Sequence, residues 1–209
     1  MFALAWFAAF LAASAPAMAS ILGRQPEIPA SCAGLPQGSL GSLSYNFTLS
    51  AYNLDKPNAN STGVPLVLAL GPPGTSAAAS EWVIATQKTA GSDDWPYWTM
   101  VNGVLTPQPG PNEQGLGAYA STVDQGDVPV FIVTIAESDP NPADIYCGAD
   151  ESDEYLVLSV NNNPDGFSLC TATDDYDQNV VVYEAEQSNS AYNYDTCYAV
   201  HIYIVPYTA

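Results

Sequence analysis

Short apolar, β-branched and aromatic runs recur along the chain, divided by clusters of Gly, Pro, Asn and Asp. Residues 43–50 alternate, with Leu43, Tyr45, Phe47 and Leu49 on one side and Asn46 on the other, the period of a half-buried strand. Residues 64–70 form a continuous apolar run stopped by Gly71, Pro72, Pro73 and Gly74, a strong breaker. A strand follows at 81–86, after a low-complexity linker at 76–79. Residues 97–101 and 104–106 flank Asn102-Gly103, the strongest two-residue hairpin signal. Residues 107–117 read as irregular, 128–136 as a long apolar strand and 139–153 as a loop. Four strands close the chain: 155–160, 167–170, 179–184 and 197–205. About eleven short strands and no capped helix of three turns predict an all-β domain. The unit Tyr97-Trp98 to Leu105 has the form of a β-trefoil hairpin. A trefoil-like barrel is therefore the first expectation and an antiparallel β-sandwich the alternative.

The two ends read differently from this body. Residues 2–13 are apolar, and Ala17-Met18-Ala19 has the small-x-small form of a signal-peptidase site. Residues 1–19 are thus expected to be a signal peptide, although no Lys or Arg precedes the apolar run. Residues 20–42 are rich in Pro, Gly and Ser and read as an arm, leaving 43–209 as one β-domain. No later run reaches the roughly 20 apolar residues of a membrane helix, and the C-terminal residues lack the spacer and apolar tail of a GPI signal.

Charge and cysteines narrow the class. The formal net charge is -19, and the only basic residues are Arg24, Lys56 and Lys88. Nucleic acid and anionic membranes need a positive field, so neither is an expected partner. Ample apolar content separates this chain from acidic disordered segments. The four cysteines, Cys32, Cys147, Cys170 and Cys197, lie beyond the cleavage site and have no C-x-x-C spacing. An even set in a secreted chain reads as two disulfides, with three possible pairings. Asn46-Phe47-Thr48 and Asn60-Ser61-Thr62 are N-glycosylation sequons.

Candidate chemistry is sparse. Trp82, Trp95, Tyr97 and Trp98 surround Asp93 and Asp94. Aromatic faces stack on sugar rings and carboxylates bond hydroxyls, so this group is a candidate glycan site. Trp82 and Trp98, on strands, read as core; Trp95, in a turn before Pro96, reads as the exposed ring. The site residues are then Trp95, Tyr97, Asp93 and Asp94. Asp175, Asp177, Asn179 and Glu186 have calcium-loop spacing, but Val180 replaces the required glycine. A looser calcium site on Asp174, Asp175 and Asp177, or on Asp150, Glu151, Asp153 and Glu154, competes with a plain solvated acidic turn. Otherwise no cofactor is expected. His201 is the one histidine, which excludes a multi-histidine metal centre, and no Gly-x-Ser-x-Gly is present. Carboxylate pairs for glycoside hydrolysis occur by chance among 22 acidic residues and identify no catalytic residue.

Trp98-Thr99-Met100-Val101-Asn102-Gly103-Val104-Leu105-Thr106, Gly166-Phe167-Ser168-Leu169-Cys170, Val180-Val181-Val182-Tyr183 and the strand holding Cys197 carry a family resemblance. They are similar to segments of fungal secreted cell-wall proteins of the PhiA type, also known as IgE-binding proteins, over about half of the mature chain. The Trp of that family's W-Q-V-F strand is absent here. The resemblance implies an extracellular or wall-associated protein and a Cys170–Cys197 disulfide. That bridge would join two strand-borne cysteines, and a Cys32–Cys147 bridge would pin the arm to a loop. The expected role is a secreted, acidic, non-catalytic one, structural or interactive, at the cell wall. The expected partner is a wall polysaccharide or an extracellular protein. A carbohydrate-binding module or lectin is the first alternative and an extracellular glycosidase the second.

Overall fold

The computed structural model describes residues 29–71, 80–135, 141–151, 154–173 and 177–208. The expected signal peptide, the start of the arm, the 76–79 linker, Asp153, Asp174 and Asp175 lie outside the described residues. The fold is all-β, with strands β1 Phe47–Asn53, β2 Val64–Leu70, β3 Ser80–Thr86, β4 Tyr97–Val101, β5 Val104–Gln108, β6 Leu116–Ala120, β7 Val130–Ile135, β8 Tyr146–Ala149, β9 Leu156–Val160, β10 Phe167–Ala172, β11 Asn179–Tyr183 and β12 Tyr192–Pro206. Among the described residues the one α-helical segment is a single turn, Gln87–Ala90.

All pairings between these strands are antiparallel and join them into one 12-stranded sheet. Six strands form a circuit: β1 pairs β2, β2 pairs β3, β3 meets β11 through Ala85 and Val180, β11 pairs β10, β10 pairs β12, and β12 returns to β1. The long β12 makes this possible, because its first half pairs β10 and its second half pairs β1 and β9. The main core lies on one face of the circuit. There Leu49, Leu68, Ile84, Leu169, Val181 and Ile202 meet Trp98, Phe131 and Leu158 from the remaining strands. A smaller cluster, including Val83, Ala85, Val180, Val182 and Tyr192, lies apart. Alternation along β11, with Val181 in one cluster and Val180 and Val182 in the other, shows why this strand is apolar throughout: both its faces are covered.

The Asn102-Gly103 turn forms as its sequence demands, with φ of 51° and 83°, values typical of a type I′ hairpin. Gly103 is also held by space, since a Cβ there would stand 2.7 Å from the Asp144 carbonyl oxygen. Two strands were not visible as such in the sequence. The segments 107–117 and 139–153 contain the start of β6 and all of β8. β8 reads Tyr-Cys-Gly-Ala and lacks a β-branched run, yet every residue in it is buried. Its edge is covered by the arm: Leu40 N–H donates to Gly148 O at 2.8 Å, and Gly148 N–H donates back at 2.9 Å. Covering an edge strand this way removes a template for aggregation. The bridges are Cys32–Cys147, across 115 residues, and Cys170–Cys197, across 27.

Tyr146 is 1% exposed, and its hydroxyl has no hydrogen-bond partner. Burial raises its pKa far above the ordinary tyrosine value of 10.0. The folded state therefore holds this proton more tightly than the unfolded chain. The contribution to stability is complete below about pH 10 and is lost as pH rises from there through the folded value. Tyr146→Phe removes an unpaired buried hydroxyl, so it is expected to leave stability at pH 7 unchanged or higher. It should also flatten the decline above pH 10, as urea unfolding between pH 7 and 11 would read.

Candidate functional site

The sequence-predicted aromatic group is not a platform. Trp95 is 1% exposed and packs edge-on against Trp82, ring centres 6.1 Å apart. The expectation of an exposed Trp95 ring is thus corrected: the turn before Pro96 directs the indole into the core, where about 200 Å² of aromatic surface leaves water. Trp98 is core as expected, against Phe131, while Trp82 is partly buried at the core margin. Tyr97 is half-buried and stacks on Tyr207 at 5.1 Å. Asp93 is exposed, and the Asp94 carbonyl and carboxylate accept from Gly110 N–H and Asn112 Nδ2. Asp177 is exposed, and no group of three or more metal-ligating side chains occurs among the described residues.

A different part of the fold forms an open cleft of about 560 Å³. Its first wall is the β9–β10 turn. Asn161 and Asn162 have φ of 50° and 67°, a left-handed conformation that Asn tolerates better than most residues. Asn163 then caps the turn by accepting Asp165 N–H at 3.1 Å, and its Nδ2 donates to Glu184 Oε1 at 2.8 Å. Glu184, directly after β11, has φ 44°. A left-handed glutamate costs roughly 1–2 kcal/mol. It is held there by its N–H donating to Gly166 O and by the Asn163 bond.

The second wall is a bulge in β12. Leu169 pairs with Tyr198, and Thr171 with Asn193. Between these pairs β10 has only Cys170, whereas β12 has residues 194–197. Thr196 Oγ accepts from Thr171 N–H at 2.8 Å and donates to Asn193 O at 2.6 Å. The Cys170–Cys197 bridge ties the base of the bulge to β10. Bulges re-aim side chains, and this one presents Tyr194, which is 42% exposed, to the cleft. Tyr198 also lines the cleft while packing on the core. Asp55 and Gln125 complete the rim from two loops.

The lining thus joins two phenols, the carboxylates of Asp55, Asp165 and Glu184, two carboxamides and the Ser168 hydroxyl, with no basic side chain among them. Asp165 is anchored by His201, whose Nε2 lies 2.7 Å from its Oδ1. Burial raises the pKa of Tyr198, and burial with the Glu184 charge raises that of Tyr183 behind the wall. The Tyr198 phenol therefore stays a hydrogen-bond donor well into alkaline solution. A cleft of this chemistry repels anions and suits a neutral polyhydroxylated ligand. The sequence offers only faint signals for it: three successive asparagines at 161–163, and a polar run leading into Cys197.

Comparison of the chain with protein-family models, with curated proteins and with solved structures finds no match. No helix among the described residues is long and apolar enough to cross a membrane.

Proposed function

We propose that this is an extracellular, non-catalytic protein that binds a neutral cell-wall polysaccharide in the cleft between the β12 bulge and the β9–β10 turn. The observation that carries this reading is the lining itself, where Tyr194 and Tyr198 face acidic and amide groups without a cation. Phenol rings cover the apolar faces of sugars, and carboxylates and amides take their hydroxyls. Two disulfides fit an oxidising compartment, and the likeness to PhiA-type wall proteins points to a fungal wall. Of the two architectures expected, the six-strand circuit, which closes when β12 returns to β1, supports a barrel-like arrangement over two separate stacked sheets.

The test is retention of residues 20–209 on insoluble chitin and β-glucan. Tyr194→Ala removes an exposed ring from a disulfide-held bulge and leaves the core intact. It is expected to weaken retention about tenfold, the worth of roughly 1.4 kcal/mol of stacking, with unchanged thermal unfolding. Release of reducing sugar from either polymer would replace this reading with the glycosidase one. Equal retention of the variant would move the site elsewhere.

A further inference from the structure

The outer face of the β1–β12 ladder carries a row of rings unconnected with the core. Tyr52 stacks on Tyr203 at 5.1 Å, and Tyr155 lies against Tyr203 at 5.7 Å. Residues directly opposite in an antiparallel pair share a face, so Ser50, opposite Tyr203, belongs to this face. Ser50 is 4% exposed and its hydroxyl has no partner. All three tyrosines are only partly buried.

The loop that joins β1 to β2 runs beside this row and contains the sequon Asn60-Ser61-Thr62. Asn60 Oδ1 accepts from Thr62 N–H at 3.1 Å, Gly63 N–H at 2.6 Å and Thr62 Oγ at 3.3 Å. The carboxamide oxygen is thereby committed to its own turn, while Nδ2, the atom that a glycan takes, has no partner among the described residues. Gly63 in turn packs on the β1 backbone at the foot of Tyr52, since a Cβ there would collide with the Ala51 carbonyl oxygen and stand 2.8 Å from Tyr52 Cα. At the other end the Ser61 hydroxyl sits beside the Tyr155 phenol, where it opposes the larger effect of Glu154 in raising that phenol's pKa. Asn60, whose Oδ1 accepts from the N–H groups of Thr62 and Gly63, is therefore fixed in the turn beside the ring row.

We infer that Asn60 carries an N-linked glycan whose N-acetylglucosamine core lies on the Tyr52–Tyr203–Tyr155 face, so that the protein's own sugar covers these rings. Apolar sugar faces on stacked phenols would remove both from water, and a chain attached next to the row avoids the entropy of a separate binding event. The second sequon differs. Asn46 immediately precedes β1, and its carbonyl accepts Tyr207 N–H at 2.9 Å, which places it at the opposite end of β1 from Tyr52. The inference rests only on the extracellular part of the proposed function and not on the cleft.

The test uses the full chain secreted from a eukaryotic host, with intact-mass analysis and tetranitromethane nitration read by peptide mapping. Tyr52, Tyr155 and Tyr203 are expected to nitrate severalfold more slowly in the parent than in Asn60→Gln. Amidase removal of the glycan from the folded parent should give the same gain. Tyr194, in the cleft, should nitrate equally in all three, and Asn46→Gln should behave as the parent. An unmodified Asn60 in secreted protein, or equal nitration of the three rings with and without the glycan, would overturn the inference. Failure of the protein to bind polysaccharide would sink the cleft reading and leave this one standing.

Discussion

Replacing Cys32 and Cys147 together by alanine is expected to lower the free energy of unfolding by up to about 5 kcal/mol. The bridge spans 115 residues, and closing so long a loop removes more freedom from the unfolded chain than any single contact returns. By the same loop-length argument the 27-residue Cys170–Cys197 bridge contributes less, about 3.5 kcal/mol. Native packing adds to the first case. Cys32 is 2% exposed and Cys147 is fully buried, and their link holds the arm over β8. The melting temperature should fall by roughly 10–20 °C for a domain of this size. Alanine avoids burying two new hydroxyls, so the change reports the bridge. Guanidinium unfolding of the variant checks it, and a loss below about 1 kcal/mol would mean that the arm is not restrained by this bridge.

Trp95→Ala is expected to cost about 3–5 kcal/mol, the range for deleting a buried large aromatic side chain. The ring is 1% exposed and its partner Trp82 would lose an edge-on neighbour. The indole N–H has no acceptor, so Trp95→Phe loses volume but also an unpaired donor and should cost less than alanine. Neither variant should change polysaccharide retention at a temperature where it remains folded, because Trp95 does not line the cleft. Retention lost in a folded Trp95→Ala protein would restore the turn aromatics as the binding site.

Local chemistry explains which features could be read from the sequence. Val64 to Leu70 is apolar throughout, with β-branched Val64 and Val67, and Asn102-Gly103 admits positive φ at both residues; each of these carries its structure in its own side chains. β8 does not, because Tyr-Cys-Gly-Ala becomes a strand only when β9 and the arm supply partners on its two edges. The cleft was hidden for a related reason. Its bulge exists because β10 has one residue where β12 has four, a mismatch between segments far apart in sequence. Tyr194 looks like any loop tyrosine until the bridge at Cys197 fixes it. Trp95 misled in the opposite sense: turn residues predict a solvent-facing position, but the packing of Trp82 and the core decided it.

The most direct measurement is a chemical-shift map of uniformly labelled protein titrated with soluble oligosaccharides of chitin and β-glucan. Saturable shifts confined to Asn163, Asp165, Ser168, Glu184 and residues 194–199, with one of the two sugars, are predicted. Shifts centred on residues 93–97, or none with either sugar, would contradict the assignment of the cleft as a polysaccharide site.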